Sequence, residues 1–170
     1  MHSYKCSSCG KLHEGPPSLE WERPYHYFTI PEAERAKRCI TTSTETCVID
    51  NDAFYVHACV EIPVKNTDQI ISFTTWVTLS KQNFEKFSQL LTVPLRDHEA
   101  PFFAWLCEPI PTYPESEPLK TYIHLRNHGV RPYVELEPTE YPLAVEQREG
   151  ASEDRVQQLF AWLENGRVSG

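Results

Sequence analysis

A chain of 170 residues fits one domain, 1–170, and folding at this size hides roughly 70% of the unfolded chain's surface. Hydrophobic content of 40% and charged content of 24% are those of a soluble globular protein, and the apolar runs fall far short of the ~20 residues of a membrane helix. The net charge of −8 disfavours nucleic acid, whose phosphates need clustered Lys and Arg, and matches a partner protein with a basic surface.

The chain begins with Cys6-Ser7-Ser8-Cys9-Gly10, a C-x-x-C-G knuckle with His13 beyond it. Two thiolates at this spacing grip one metal ion from a tight turn. Met1 to Lys5 lacks the apolar run of a signal peptide, so a cytoplasmic location is expected. In a reducing compartment six cysteines point to metal binding or buried thiols rather than disulfides. Residues 1–30 read as the metal-knuckle segment followed by loop, with a Gly15-Pro16-Pro17 turn and Trp21, Tyr25, Tyr27 and Phe28 as core anchors. A helix is predicted from Pro31, with acids early and bases late in Glu32 to Arg38. Cys47 to Asp50, an Asn51-Asp52 turn and Ala53 to Val64 predict a hairpin. Its long strand sets Phe54, Val56, Ala58, Val60 and Ile62 against Tyr55, His57, Cys59 and Glu61.

Ile70 to Leu79 predicts a third strand, and Ser80 caps a predicted helix over Lys81 to Leu91 with Phe84, Phe87, Leu90 and Leu91 as its stripe. Nine of the fourteen prolines fall in residues 94–142, which predicts short strands and wrapped loops. Within it, Thr121 to Arg126 and Pro132 to Glu137 flank Asn127-His128-Gly129 as a second hairpin. Its inner face is Ile123, Leu125, Val134 and Leu136. A last helix is capped by Ser152, with Val156, Leu159, Phe160 and Leu163 facing the core. The expected class is α+β: a mostly antiparallel sheet with about three helices and a Pro-rich loop region.

A closed tetrahedral zinc site needs four ligands. Cys39 and Cys47, bracketing the polar stretch 40–46, are the expected partners of Cys6 and Cys9, with His13 as substitute. That set makes 1–47 the candidate zinc-binding segment and the zinc structural. Cys59 and Cys107 read as ordinary buried thiols. A redox role is disfavoured, because no strand precedes the C-x-x-C. On the polar face of the second hairpin, His124, Arg126, Glu135 and Glu137 offer acid–base groups for a hydrolase-type enzyme. Cross-strand ion pairing explains the same residues without any reaction. Between Asp97 and Pro118 five acids, Asp97, Glu99, Glu108, Glu115 and Glu117, stand with no Lys or Arg; these are the candidate partner-binding residues.

Cys6 to Glu14, Pro31 to Arg35, Cys47 to Asp50, Glu61 to Val64, Trp76 to Ser80, Trp105 to Cys107 and Leu125 to Gly150 together resemble a bacterial family of uncharacterised proteins, domain of unknown function family 2199. The resemblance runs over nearly the whole chain and brings no activity with it, but it lends support to Cys39 and Cys47 as partners of the knuckle, Cys47 falling within a matching segment and Cys39 between two of them. The chain departs from that pattern at Ser8, where many members have another cysteine. It also has His57-Ala58 in place of Arg-Gly, and Thr74-Thr75 in place of Gly-Val. These strand positions are expected on an exposed face. With no phosphate loop, nucleophile elbow or H-E-x-x-H motif, the expected function is non-catalytic protein binding. Its concrete form is an immunity protein that neutralises a bacterial toxin by direct contact, with no nucleic-acid or membrane partner.

Overall fold

Strict alternation of apolar residues over two long segments builds the centre of the molecule. In the computed structural model, which describes residues 3–5, 12–15 and 18–166, these segments are β6 (Ala53–Pro63) and β7 (Ile70–Leu79). They pair antiparallel along their whole length, from Phe54 opposite Leu79 to Pro63 opposite Ile70. Before them come β1 (Ser3–Lys5), β2 (Leu12–Glu14), β3 (Ser18–Glu20), helix α1 (Tyr25–Thr29), helix α2 (Glu32–Arg38), β4 (Cys39–Ser43) and β5 (Thr46–Ile49). After them come α3 (Lys81–Leu90), β8 (Phe102–Leu106), β9 (Leu119–His124), β10 (Tyr133–Leu136), α4 (Pro142–Glu149) and α5 (Glu153–Gly166).

Strands β6 to β10 form a meander that closes on itself, because β10 pairs with β6 at Tyr133–Cys59. In a five-strand meander the first and last strands run the same way, so the closing pair is parallel while the other four are antiparallel. The expected sheet is therefore a small closed barrel. Closure removes the free edges an open sheet would present. Three further strands extend it: β3 lies parallel on β7, and the β4–β5 hairpin continues from β6. At the β5–β6 turn, Asp50 and Asn51 both take positive φ, 54° and 52°, the geometry of the tight hairpin turn that suits strand twist. The turn sits one residue earlier than Asn51-Asp52.

The closing pair is short, and a side chain completes the ladder. Gln147 of α4 accepts from the Leu136 backbone N–H at 2.8 Å and donates to the Val134 carbonyl at 2.7 Å. It thereby takes the place a neighbouring strand would hold along β10. Past the end of β6, Lys65 N–H bonds the Ala151 carbonyl and Ala151 N–H bonds the Pro63 carbonyl, at 2.9 and 2.8 Å. Gly150 precedes this bridge with φ +88°; a Cβ there would stand 3.3 Å from the Pro63 carbonyl oxygen, which explains the glycine.

Inward residues of all five barrel strands form one core with Phe87 of α3, Leu143 and Ala144 of α4, and Val156, Leu159 and Phe160 of α5. The Ser80 cap holds as predicted, accepting the Asn83 N–H at 3.2 Å. A second, smaller core lies on the outer side of the sheet, where Ile30, Cys47, Ile49, Tyr55 and Trp76 pack with Trp21 and Tyr27. The N-terminal segment covers this face, and Trp76 Nε1–H bonds the Trp21 carbonyl at 2.8 Å.

This second core corrects an expectation. His57, Ala58, Thr74 and Thr75, read from sequence as exposed, are at most 6% exposed. The alternation is real, but both faces of these strands are covered, so polarity did not report exposure. The described residues hold five helices rather than about three. Helix α1 is a single short turn among aromatics. Helix α4 follows four residues after Pro138, where proline density had argued for loop; Pro142 instead occupies its first turn, where proline is tolerated. No helix among the described residues is long and apolar enough to cross a membrane.

Candidate functional site

Strand β8 presents a row of outward aromatic side chains. In Phe102-Phe103-Ala104-Trp105-Leu106 the first, third and fifth side chains are buried and the other two point outward. Phe103 and Trp105 are 36% and 37% exposed, and Tyr122 of β9, directly opposite Phe103, is 45% exposed. The three rings pack edge-on, with Phe103 centred 5.4 Å from Trp105 and 5.7 Å from Tyr122. Aromatic rings favour this contact, and it fixes their orientation while leaving much of their surface in water. The signal that could have revealed them was the period-two pattern of 102–107, obscured by the surrounding prolines.

The same alternation puts Cys107 next in the outward row. Cys107 is an exposed residue, which corrects the reading of it as a buried one, although its thiol is desolvated enough to be pushed up in pKa; Cys59 is buried as expected. An open groove of about 490 Å³ joins Trp105 and Cys107 to Thr78, Glu117 and Pro118. Beyond Cys107 a cavity of about 320 Å³ opens beside Glu108. Its walls are Tyr25, Tyr113, Tyr141 and aliphatic side chains including Ile110 and Leu119, and Glu115 stands at it as well. The proline-rich loop that forms this wall is pinned. Tyr113 Oη–H donates to Glu146, Arg155 pairs with Glu146 at 2.9 Å and with Thr112 Oγ1 at 2.9 Å, and Tyr141 Oη–H bonds the Pro114 carbonyl at 2.5 Å.

Glu108 accepts the Tyr25 backbone N–H at 2.8 Å. That bond favours the carboxylate, but burial outweighs it and lifts the carboxyl from its ordinary 4.5 to about 7. Among the described residues, no Lys, Arg or His lies within ion-pair distance of Glu108, Glu115 or Glu117. The other two predicted partner-binding acids are elsewhere. Asp97 and Glu99 precede β8 and the other three follow it, so a strand about 17 Å long separates the groups. Glu99 also approaches Lys86, at 3.8 Å.

The hairpin residues lie outward as expected, while Ile123, Leu125, Val134 and Leu136 are buried. His124 meets Glu135 at 2.6 Å with side chains 39% and 56% exposed, and Arg126 meets Glu61 at 2.6 Å. Arg131 pairs with Glu20 at 2.9 Å and Glu45 at 3.2 Å. Glu137 is apart from these pairs and lines a hollow with Trp105 and Lys120. The arrangement joins neighbouring strands by partly solvated ion pairs, each worth at most about 1 kcal/mol.

Of the predicted metal ligands, Cys6 and Cys9 lie outside the described residues, and His13 lies in β2. Cys39 stands opposite Ile49 in the β4–β5 ladder, so Cys47, two residues before Ile49, is its diagonal neighbour on the same face. Cys47 is wholly buried in the second core, and burial with the nearby Cys39 pushes its thiol up to about 11. Among the described residues no three His, Cys, Asp or Glu side chains cluster as metal ligands.

One further group stands out. His57 is 2% exposed and lies flat on Trp76, ring centres 4.3 Å apart and 7° between planes. Neither ring nitrogen has a hydrogen-bond partner. Burial, with the Arg131 charge nearby, lowers its pKa and keeps the ring neutral.

The fold and this face define the class: a small closed β-barrel that presents an exposed aromatic cluster beside unpaired carboxylates. Over residues 5–151 the chain matches the family model DUF2199, described as an uncharacterized protein conserved in bacteria, and it belongs to that family. No curated protein and no solved structure matches it.

Proposed function

We propose that the protein is a non-catalytic binding module that docks a basic partner protein on the outer face of β8 and β9. Its concrete form is an immunity protein covering the active or binding surface of a toxin. One observation carries this reading. Three partly exposed aromatic rings, Trp105 and Tyr122 each packed on Phe103, adjoin acids with no cationic partner among the described residues. Exposed aromatics ringed by polar groups are typical of binding surfaces, where Trp and Tyr serve as anchors. The net charge of −8 adds long-range attraction for a basic partner.

Co-expression with the product of the adjacent gene tests it. The expected result is a co-purified complex, rescue of growth if that product is toxic, and a Trp105→Ala variant that binds roughly 30-fold more weakly, the usual loss of about 2 kcal/mol at an aromatic anchor. No complex and no rescue overturns the reading, as does full-strength binding by Trp105→Ala.

A structural zinc held by Cys6, Cys9, Cys39 and Cys47 is a separate proposal. It is supported by the placement of Cys39 and Cys47 on one face of a two-stranded ladder. Burial raises the pKa of both thiols, so metal binding would release protons and weaken in acid. Elemental analysis is expected to find one zinc per chain in the wild type and none in Cys39→Ser; a metal-free wild type sinks the idea.

A further inference from the structure

We propose that the cavity beside Glu108 receives the cationic end of a Lys or Arg side chain, inserted from the partner docked on the β8–β9 face. This deepens the protein-binding reading and rests on it. The cavity adjoins the aromatic face, because Cys107, one residue past β8, lines both the open groove beside Trp105 and the cavity beside Glu108. At about 320 Å³ it lies at the small end of ligand cavities, which span ~300–1,000 Å³. That suits one side chain rather than a cofactor.

Its chemistry selects a cation. The rings of Tyr25, Tyr113 and Tyr141 line it, and Glu108 and Glu115 are its acids. Tyrosine faces attract ammonium and guanidinium groups, and a mostly enclosed carboxylate strengthens that attraction. The molecule already uses this chemistry beside the cavity: the Arg155 guanidinium lies 4.7 Å over the Tyr113 ring while paired to Glu146. That internal cation is committed to Glu146 and Thr112. Glu108 is left with only a backbone N–H and Glu115 with no ion-pair partner among the described residues. The groups around Glu108 are Tyr25, Tyr55, Cys107, Tyr113, Glu115 and Tyr141, none of them basic; His26 lies one step away, 3.1 Å from the Tyr55 hydroxyl. An incoming cation is the missing partner, and it would favour the ionised carboxylate.

The test is an NMR titration of the full chain with butylguanidinium and n-butylammonium, with n-butanol as the uncharged control, at pH 6 and pH 8. Saturable binding is expected for the cations alone, shifting the amides of Tyr25 and of residues 107–115. Affinity should be about tenfold higher at pH 8, as a carboxyl titrating near 7 goes from about one-tenth to nine-tenths ionised. Glu108→Gln keeps an oxygen for the Tyr25 amide and should abolish both saturation and pH dependence. Glu115→Gln, an exposed change that cannot disturb the fold, should weaken binding at least twofold. Cation binding no better than butanol, or unchanged in both variants, overturns the proposal. The two readings fail separately. A partner complex lost with Trp105→Ala but indifferent to Glu108→Gln removes the cavity and leaves the docking face. Cation binding in the cavity with no partner complex removes the docking reading.

Discussion

Arg96→Ala is expected to destabilise the protein by about 3–4 kcal/mol, the largest loss from a single side chain outside the apolar cores. Arg96 is 3% exposed and has no carboxylate partner among the described residues. Its guanidinium donates instead to four carbonyls: Nε to Arg126 at 2.8 Å, Nη1 to Leu90 at 3.0 Å and Leu91 at 3.2 Å, and Nη2 to Val130 at 3.2 Å. Leu90 and Leu91 close helix α3, so two of these acceptors belong to the carbonyls a helix leaves unpaired at its negative end. The other two flank the turn between β9 and β10, and the Asn127 side chain returns a bond to the Arg96 N–H at 2.7 Å. One planar fork thus ties a helix end to a hairpin. Removal strips donors from partly buried carbonyls, of which Leu90 keeps the Val93 N–H at 3.1 Å, and opens a cavity. Lys presents a single ammonium without the fork geometry, so Arg96→Lys should recover only part of the loss. Urea unfolding with an unchanged m-value measures it, and at this chain length the melting temperature should fall by roughly 6–16 °C. A variant within 1 kcal/mol of the wild type would refute the role.

Glu108→Gln is expected to make the protein more stable than the wild type at pH 8 and no different at pH 4. The folded chain holds the Glu108 proton until about pH 7, whereas the unfolded chain releases it near 4.5. Between those values the folded state binds more protons, so stability is full below 4.5 and falls as pH rises through 7. At 1.36 kcal/mol per pH unit, the interval from 4.5 to about 7 corresponds to roughly 3 kcal/mol. His57 acts in the opposite direction. Its folded pKa is lowered, so the unfolded state binds the extra proton, and stability present above the ordinary 6.5 is lost as pH falls below it. Between pH 4.5 and 6.5 the two slopes therefore oppose each other, and the remaining fall from there to about pH 7 belongs to Glu108. Urea midpoints at half-unit steps from pH 4 to 8 test this, and parallel profiles for wild type and Glu108→Gln would refute it.

Some of this molecule is written locally. The alternation of Ala53 to Val64, the β-branched run of Ile70 to Leu79, the Ser80 cap and the Asn127-His128-Gly129 turn each specify an element through steric preferences of neighbouring residues. The structure repeats the first three almost residue for residue; the Asn127 turn is kept, but its strands stop at His124 and resume at Tyr133 instead of flanking it directly. What local signals could not carry was coverage. His57 and Thr74 are polar residues on the outer side of a barrel, and they read as solvated until the N-terminal segment is laid over them. Phe103 and Trp105 look like core residues in any hydrophobicity reading, yet among the described residues they stay partly exposed on the outer side of β8.

The sequence by itself determined the α+β class, the two hairpins, the capped helices, the acidic charge and the family. These follow from contacts between residues close along the chain and from composition, which survive without knowing the fold. Only the tertiary structure decided that the meander closes at Tyr133 and Cys59, that one arginine is shared by four carbonyls, and that Glu108 ends in an aromatic cavity beside an exposed aromatic face. Each of those depends on partners brought together from far apart in the chain. Their energies come from burial and desolvation, which only the packed fold defines.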